Sequence, residues 1–288
     1  MQIMLKGNVI MTNQIKIQSV QINQLNFESR DDTTVTWLGG SGFMINCSGT
    51  IILIDPLLSV KPEDPELSEC GLKLKIRLPL LAEQVAKVDY ILYTHADIDH
   101  LGPITALALA KLNPRFIGTY PVYYQLTQLG VNPKLVSVCR VGEKIDIDGI
   151  LTQITPADHP WQLQAIERGG RPYRMGECCG YILNTKDGRL FFPGDTRLME
   201  EHLDIKDIDL LALDVSKDEY HLNHVSAVVL ANNLPNAYLF PTHYGTYYSD
   251  KPAHVGDPVD IYPKISNINQ RGLLLSPGEP FVVKPFRE

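Results

Sequence analysis

Two histidines and two aspartates occupy one short segment of the chain, Thr94 to Gly102, in the order His95, Asp97, Asp99, His100. In an extended segment His95 and Asp97 alternate and point to the same side. Imidazole and carboxylate groups are ligands of zinc, manganese and iron ions in proteins. The string H-x-D-x-D-H therefore predicts a metal site.

Three further ligand-type residues stand just past predicted strands: His159, Asp195 and His243. The strands that precede them are predicted over 150–154, 189–192 and 237–240. Ligands of open α/β sheets collect at the carboxyl ends of the strands, so these residues can converge with the first segment. A single histidine is more often a loop or core residue than a ligand. Three ligand-type residues at strand ends, together with the H-x-D-x-D-H string, favour a metal site.

The seven residues divide into two sites with one shared ligand. We predict one site from His95, Asp97 and His159, a second from Asp99, His100 and His243, and a bridging Asp195. Two divalent ions (Zn, Mn or Fe) about 3.5–4 Å apart can hold a hydroxide between them. Three carboxylates and that hydroxide nearly balance two divalent ions, and a neutral buried cluster is far less costly than a charged one.

The elements that must position these residues alternate between strands and helices. Residues 33–55 predict an antiparallel meander, and Asp148-Gly149 and 185–188 each predict a hairpin turn. Further strands are predicted over 88–93, 115–118 and 209–213, and helices over 79–85, 104–112, 121–129 and 224–233. Two halves of this kind predict an α/β fold, a four-layer αββα sandwich. We expect one domain over residues 14–288 and a disordered N-terminal extension over residues 1–13.

Composition narrows the class of protein. The 288 residues are 44% hydrophobic and 20% charged, which is ordinary for a globular enzyme. A net charge of −7 argues against nucleic acid as a partner, and no apolar run reaches the ~20 residues of a membrane span. We expect a cytoplasmic protein that acts on a small molecule; whether it forms a homo-oligomer stays open. Five scattered cysteines support neither a disulfide framework nor a zinc ribbon.

The motifs resemble those of the metallo-β-lactamase superfamily over about residues 33–250. The segment from His95 to His100 resembles the H-x-H-x-D-H signature of that family, and Asp55 resembles the aspartate of its first motif. His159, Asp195 in Pro-Gly-Asp-Thr, and His243 in Pro-Thr-His-Tyr-Gly-Thr resemble the third to fifth motifs. The segment 37–43 and the Pro-Thr-His-Tyr-Gly-Thr segment look most like the branch that includes the ascorbate 6-phosphate lactonases. The resemblance implies the αββα fold and a metal-dependent hydrolase.

Asp97 departs from the family pattern, which has a histidine there. Either the first site has a harder ligand set, which favours manganese or iron over zinc, or that site is weak. Flavo-diiron oxidoreductases of the superfamily carry a glutamate at this position. They also need a flavodoxin-like domain, for which this chain has no stretch of sufficient length, so hydrolysis is favoured.

The predicted reaction is attack of a metal-activated hydroxide on an ester, lactone or phosphoester bond of a small anionic metabolite. Asp99 is expected to orient the water and to carry its proton. His221 is expected to polarise the substrate; a structural role is about equally compatible with its position, and His224 is the weaker alternative. A phosphodiesterase and a metal-binding descendant without activity remain as alternative functions.

Substrate specificity is expected from the loops that follow His159 and His243. Arginines in the first loop could hold a phosphate or carboxylate, although a solvated basic loop explains them equally well. The predicted substrate-binding residues are Trp161, Arg171, Arg174 and Tyr244, with Arg168, Tyr173, Tyr247 and Tyr248 in the same loops. Asp214, His202 and His254 are expected to be structural or surface residues.

Overall fold

The structure is a computed structural model that describes residues 18–160, 171–249 and 255–285. Its strands are β1 (Thr33–Gly39), β2 (Gly42–Cys47), β3 (Thr50–Ile54), β4 (Val60–Lys61), β5 (Asp64–Ser68), β6 (Tyr90–Leu92), β7 (Arg115–Gly118), β8 (Val136–Val138), β9 (Lys144–Ile147), β10 (Ile150–Pro156), β11 (Cys179–Thr185), β12 (Gly188–Phe192), β13 (Leu210–Asp214), β14 (Tyr238–Thr242) and β15 (Pro280–Val282). Its α-helices are α1 (Pro103–Ala110), α2 (Tyr120–Gln128), α3 (Glu200–Asp204), α4 (Asn223–Asn233) and α5 (Ile268–Arg271). The predicted N-terminal extension over residues 1–13 lies outside the described residues.

These strands form two main sheets. The first has seven strands in the order β15-β1-β2-β3-β6-β7-β8, and the second has six in the order β14-β13-β12-β11-β10-β9. The meander β1-β2-β3 is antiparallel, whereas β3, β6, β7 and β8 run parallel to one another. In the second sheet β12, β13 and β14 are parallel. Strands β4 and β5 form a separate hairpin.

Alternation along β3 shows how the layers are built. Ile52 and Ile54 belong to the core between the two sheets, and Ile51 and Leu53 belong to a second core on the opposite face of the first sheet. Helices α1 and α2 cover this second core through residues such as Leu109. Successive side chains of a strand point to opposite faces, so an uninterrupted apolar run is buried on both sides.

Helix α4 packs against β13 of the second sheet and contacts α3. The layers are therefore helices, sheet, sheet and helices, which confirms the predicted αββα sandwich. Both predicted hairpins are present, as β9-β10 and β11-β12. No helix in the described residues is long and apolar enough to cross a membrane.

One predicted helix is wrong. Residues 79–85 contain only a 3₁₀ turn, Ala82–Gln84, because the N–H of Ala82 bonds outward to the carbonyl of Leu58 instead of joining a helical ladder. Leu80, Ala82 and Val85 are buried, so the apolar character that suggested a helix serves to pack this connection against the second core.

Candidate metal centre

The centre lies where strands of both sheets end. Because β3 and β6 are parallel neighbours, and β12, β13 and β14 are parallel neighbours, the residues that terminate or follow them meet at one edge. These residues are Asp55 after β3, His95 to His100 after β6, His159 after β10, Asp195 after β12, Asp214 at the end of β13 and His243 after β14.

Asp55 ties the loop after β6 to the end of β3. Its carboxylate accepts hydrogen bonds from the backbone N–H of Thr94 at 2.8 Å and from the hydroxyl of Thr94 at 2.7 Å. Nδ1 of His100 lies 2.9 Å from the same carboxylate. Asp55 and His243 both have positive φ, 43° and 56°, which is uncommon for residues other than glycine and concentrates at functional sites.

Five histidines share one arrangement: Nδ1 of each lies beside an oxygen at the periphery of the centre. The oxygens are Thr94 Oγ1 for His95 (2.9 Å), Asp55 Oδ2 for His100 (2.9 Å), the Tyr220 carbonyl for His159 (3.1 Å), Asp218 Oδ1 for His221 (2.6 Å) and Asp214 Oδ1 for His243 (3.3 Å). Such partners fix the orientation and tautomer of an imidazole and leave Nε2 available as the ligand atom.

The Nε2 atoms of four of these histidines surround Asp195. Oδ2 of Asp195 lies 2.8 Å from His221 Nε2, 3.1 Å from His100 Nε2 and 3.9 Å from His95 Nε2. Oδ1 lies 3.5 Å from His243 Nε2. The aspartate thus stands between residues assigned by sequence to different metal sites, which is the position that a bridging ligand requires.

Asp97 faces the first predicted site. Its Oδ2 lies 3.3 Å from His159 Nε2 and 3.5 Å from His95 Nε2. Its Oδ1 accepts a hydrogen bond from the Tyr173 hydroxyl at 2.9 Å. The carboxylate is therefore oriented, and its second oxygen is directed at the two histidines with which it was grouped from the sequence.

These donors fit a divalent cation. Within the described residues, potential ligand atoms lie within 4.8 Å of one another in three groups, which are His95, His159 and Asp195; Asp99, His100 and His243; and Asp195, Asp214, His221 and His243. Nε2 of His95 is buried and has no hydrogen-bond partner. A buried polar atom of this kind needs a partner, and nitrogen and oxygen donors together suit zinc, manganese or iron.

Burial and the neighbouring charged groups shift the pKa values of several residues in the centre. Burial lowers the pKa of His100, but the carboxylates of Asp195 and Asp55 outweigh burial and hold that pKa well above its usual value. Burial raises the pKa of Asp195, yet His100, His243 and His221 hold it well below its usual range. Burial and the neighbouring His100 lower the pKa of His95.

Asp214 and Asp218 are site residues that the sequence did not reveal. Asp214, expected to be structural or at the surface, is 2% exposed and contacts His243, while Asp218 contacts His221. Asp214 ends an apolar strand, so the strand-end criterion that selected Asp195 would also have selected it. Asp218 lies in the loop before α4, where no local pattern marks it.

Ser41 also contacts a predicted ligand, since its Oγ is 3.0 Å from His243 Nε2.

Only some of the predicted substrate-binding residues lie within the described ranges, and those residues have different kinds of contact. Trp161 and Arg168 lie outside the described residues, as does His254. Arg171 forms two 2.6 Å hydrogen bonds with the carboxylate of Glu177, to which the backbone N–H of Arg174 also donates. Tyr244 stacks on Trp37 with ring centroids 4.9 Å apart. The two arginines therefore belong to a closed loop, and their role toward a substrate stays a prediction.

A cavity of about 90 Å³ adjoins the centre. Asp99, His221 and His243 line it on one side, and Leu72, Tyr244 and Tyr247 are among its other lining residues. A small organic molecule in this cavity would contact both the predicted ligands and His221.

Glu69 anchors the start of α1, directly after the loop that carries the predicted ligands His95 to His100. Its buried carboxylate accepts hydrogen bonds from the backbone N–H groups of Ile104 (2.7 Å) and Thr105 (3.1 Å), at the start of α1, and from the Thr105 hydroxyl. A side chain on Gly102 would collide with this carboxylate. This close approach of the Glu69 carboxylate to the backbone explains why a glycine stands directly after Leu101.

Glu69→Ala is expected to destabilise the fold by about 1–3 kcal/mol, because it leaves buried donors at the start of α1 unpaired. The free energy of unfolding in urea measures this loss. Glu66→Ala is the control, since Glu66 forms an exposed ion pair with Lys73 and its removal should leave the midpoint unchanged. Equal stability of the Glu69 variant and the wild type would contradict this role.

Comparisons with known proteins agree with this geometry. The family model described as "Beta-lactamase superfamily domain" matches residues 50–244. A metal-dependent hydrolase of Herpetosiphon aurantiacus is 27% identical over 258 residues, covering 86% of this chain and 97% of the relative. A metal-dependent hydrolase of Pyrobaculum calidifontis is 25% identical over 252 residues, covering 85% and 97%.

Among solved structures, Igni18, a metallo hydrolase of Ignicoccus hospitalis, matches with a TM-score of 0.64 and 22% identity, over 88% of this chain and 98% of that protein. This likeness shows the fold. The closer resemblance to the ascorbate 6-phosphate lactonase branch stays a prediction. The family model spans well over half of the chain and includes the predicted ligands from His95 to His243. The chain therefore belongs to the beta-lactamase superfamily.

Proposed function

We propose that the protein is a two-metal hydrolase that cleaves an ester, lactone or phosphoester bond of a small anionic molecule. The observation that carries this proposal is the shared arrangement of five histidines, each held at Nδ1, with Nε2 atoms gathered around Asp195 and Asp97. The names of the relatives, which are metal-dependent hydrolases, support it.

The first ion would be held by His95, Asp97 and His159, the second by Asp99, His100 and His243, with Asp195 shared. When bound, zinc, manganese or iron ions supply Lewis acidity that lowers the pKa of water and stabilises an oxyanion. The protein keeps the histidine ligands in fixed orientations, because residues such as Asp55 and Asp214 contact their Nδ1 atoms, on the side away from the ions.

Asp99 orients the attacking water. Its carboxylate is half-buried, lines the cavity and belongs to the group with His100 and His243, so it would be both a ligand of the second ion and a neighbour of a molecule in the cavity. A carboxylate oxygen there accepts the proton of the water as the new bond to the carbonyl carbon or phosphorus forms.

His221 completes the reaction on the substrate side. Asp218 Oδ1 lies 2.6 Å from Nδ1 of His221, and His221 lines the same cavity as Asp99. Burial lowers the pKa of His221, but the carboxylates of Asp195 and Asp214 outweigh burial and hold that pKa well above its usual value, so both ring nitrogens carry a proton. A protonated Nε2 polarises the substrate oxygen and passes its proton to the leaving oxygen as the ester bond breaks. The products are an acid and an alcohol.

The test is a panel of lactones, phosphodiesters and thioesters assayed with the wild type and Asp99→Asn. We expect metal-dependent turnover by the wild type, and a loss of about 10²–10⁴-fold in kcat for the variant, since it cannot accept the proton. Turnover that is equal for both proteins would overturn the role of Asp99.

Metal analysis of the purified protein is the second part of this test. Fewer than about one equivalent of manganese, iron or zinc, unchanged by His95→Ala, would overturn the hydrolase itself, since hydrolysis of this kind needs the ions. The substrate panel also separates a phosphodiesterase from a carboxylic-ester or lactone hydrolase.

A further inference from the structure

Tyr173 is in contact with most of the first predicted site. Its hydroxyl donates to Oδ1 of Asp97 at 2.9 Å and accepts from the backbone N–H of Ala96 at 3.1 Å. Its ring lies edge-on to His95, with centroids 5.9 Å apart, and 6.1 Å from the ring of His159. The side chain is 8% exposed. One residue thus touches Asp97, His95 and His159 together.

The loop that carries Tyr173 is closed and anchored. The bidentate pair of Arg171 with Glu177 spans it, the N–H of Arg174 donates to the same carboxylate at 2.8 Å, and the carbonyl of Glu177 accepts from Thr119 at 2.6 Å. Tyr173 also packs in a small buried cluster with Ala157 and Cys178. The phenol is therefore held at a defined place, independent of any substrate.

A carboxylate can offer a metal ion either one oxygen or both. Tyr173 occupies Oδ1 of Asp97, and Oδ2 alone faces the nitrogens of His95 and His159. Without the phenol, the carboxylate would be free to rotate about its terminal bond. Second contacts of this kind orient a ligand and contribute about 10–100-fold to metal affinity.

We propose that Tyr173 and Asp97 act as one unit that makes the first site selective for harder metal ions: beside the two imidazoles and the shared Asp195, Asp97 supplies a single oxygen, and Tyr173 fixes which oxygen it is. Tyr173 is a positioning residue here. A harder donor set than three imidazoles favours manganese or iron relative to zinc. The inference rests on the proposed metal centre and assigns its first site to these metals.

Binding of Mn²⁺ to metal-free protein, followed by electron paramagnetic resonance and by metal analysis, tests the unit. We expect two Mn²⁺ sites in the wild type. Tyr173→Phe should weaken one of them by about 10–100-fold and leave the other unchanged. Tyr262→Phe is the matched control, because Tyr262 is also buried and donates to a backbone carbonyl, that of Leu273 at 3.1 Å, outside the centre.

Asp97→His tests selectivity separately. Competition between Zn²⁺ and Mn²⁺ should shift toward Zn²⁺ by at least about tenfold in this variant, since the substitution gives the first site three imidazoles. An unchanged ratio would overturn the selectivity. Equal Mn²⁺ affinities of wild type and Tyr173→Phe at both sites, or equal weakening of both sites, would overturn the positioning role.

These outcomes are distinct from failure of the proposed function. A wild type that binds two Mn²⁺ ions but hydrolyses nothing in the panel would remove the hydrolase and leave the Tyr173 and Asp97 unit standing. A hydrolase in which Tyr173→Phe binds like the wild type would remove the unit alone.

Discussion

Asp195→Asn is expected to reduce bound metal from about two equivalents to less than about one half, because it removes the carboxylate that we propose to be shared by both sites. The oxygens of Asp195 lie within 3.9 Å of Nε2 of four histidines. No other carboxylate among the described residues lies this close to so many histidine nitrogens. The amide keeps the size of the side chain but removes the charge that offsets two cations.

Metal analysis of proteins purified in parallel measures this effect, and far-ultraviolet circular dichroism checks that the variant is folded. Asp260→Ala is the control, since Asp260 pairs with Lys217 at the surface and should leave the metal content unchanged. A folded Asp195→Asn protein that retains two equivalents would show that Asp195 is not the shared ligand. Retention of one equivalent would assign it to a single site.

The fold was predictable where burial is two-sided. Strand β3 is apolar from Ile51 to Ile54 and is followed by Asp55, and β13 is apolar from Leu210 to Leu213 and ends at Asp214. A short apolar run that ends at a polar residue can be recognised without knowledge of how the sheets are arranged. Strand β15 was not predictable, because it has three residues, begins with Pro280 and pairs with β1 far away in the chain. Its strand character exists only through that pairing.

The predicted ligands follow from residue type and strand ends. The structure places six of the seven in groups of potential ligand atoms, and Asp97, which is in none of these groups, lies beside His95 and His159. The orienting roles of the residues that contact these ligands do not follow from sequence, even where the residue itself, such as Asp55, does. Asp55 is 45 residues from His100, and Tyr173 is 76 residues from Asp97. A role in orienting another side chain depends on such tertiary contacts, which leave no periodic signal.

The role of Arg171 also could not be decided from sequence. An arginine in a loop beside the centre is equally compatible with substrate binding and with an ion pair, and the sequence left both open. Glu177, six residues later, forms a bidentate pair with it. The geometry therefore connects Arg171 to the loop that holds Tyr173, and a substrate anion would have to compete with Glu177 for this guanidinium.

His221→Asn is expected to lower kcat by about 10²–10⁴-fold on esters with an alkoxide leaving group, because the variant cannot protonate the departing oxygen. The loss should be much smaller on nitrophenyl esters, whose leaving group departs without a proton. Asp218→Asn should follow the same trend with a smaller loss, since Asp218 acts by orienting Nδ1 of His221. Steady-state kinetics over a series of leaving groups measures both.

His224→Asn is the matched control, because Nε2 of His224 contacts the carbonyl of Val215 at 3.2 Å and His224 is in none of the three ligand groups. Metal content decides between two roles of His221, which lies near Asp195, Asp214 and His243 in one of those groups. If His221 holds a proton for the substrate, the variant keeps its metal and loses most activity on alkoxide esters. A fall in metal content with an equal loss on every leaving group would instead make His221 a ligand.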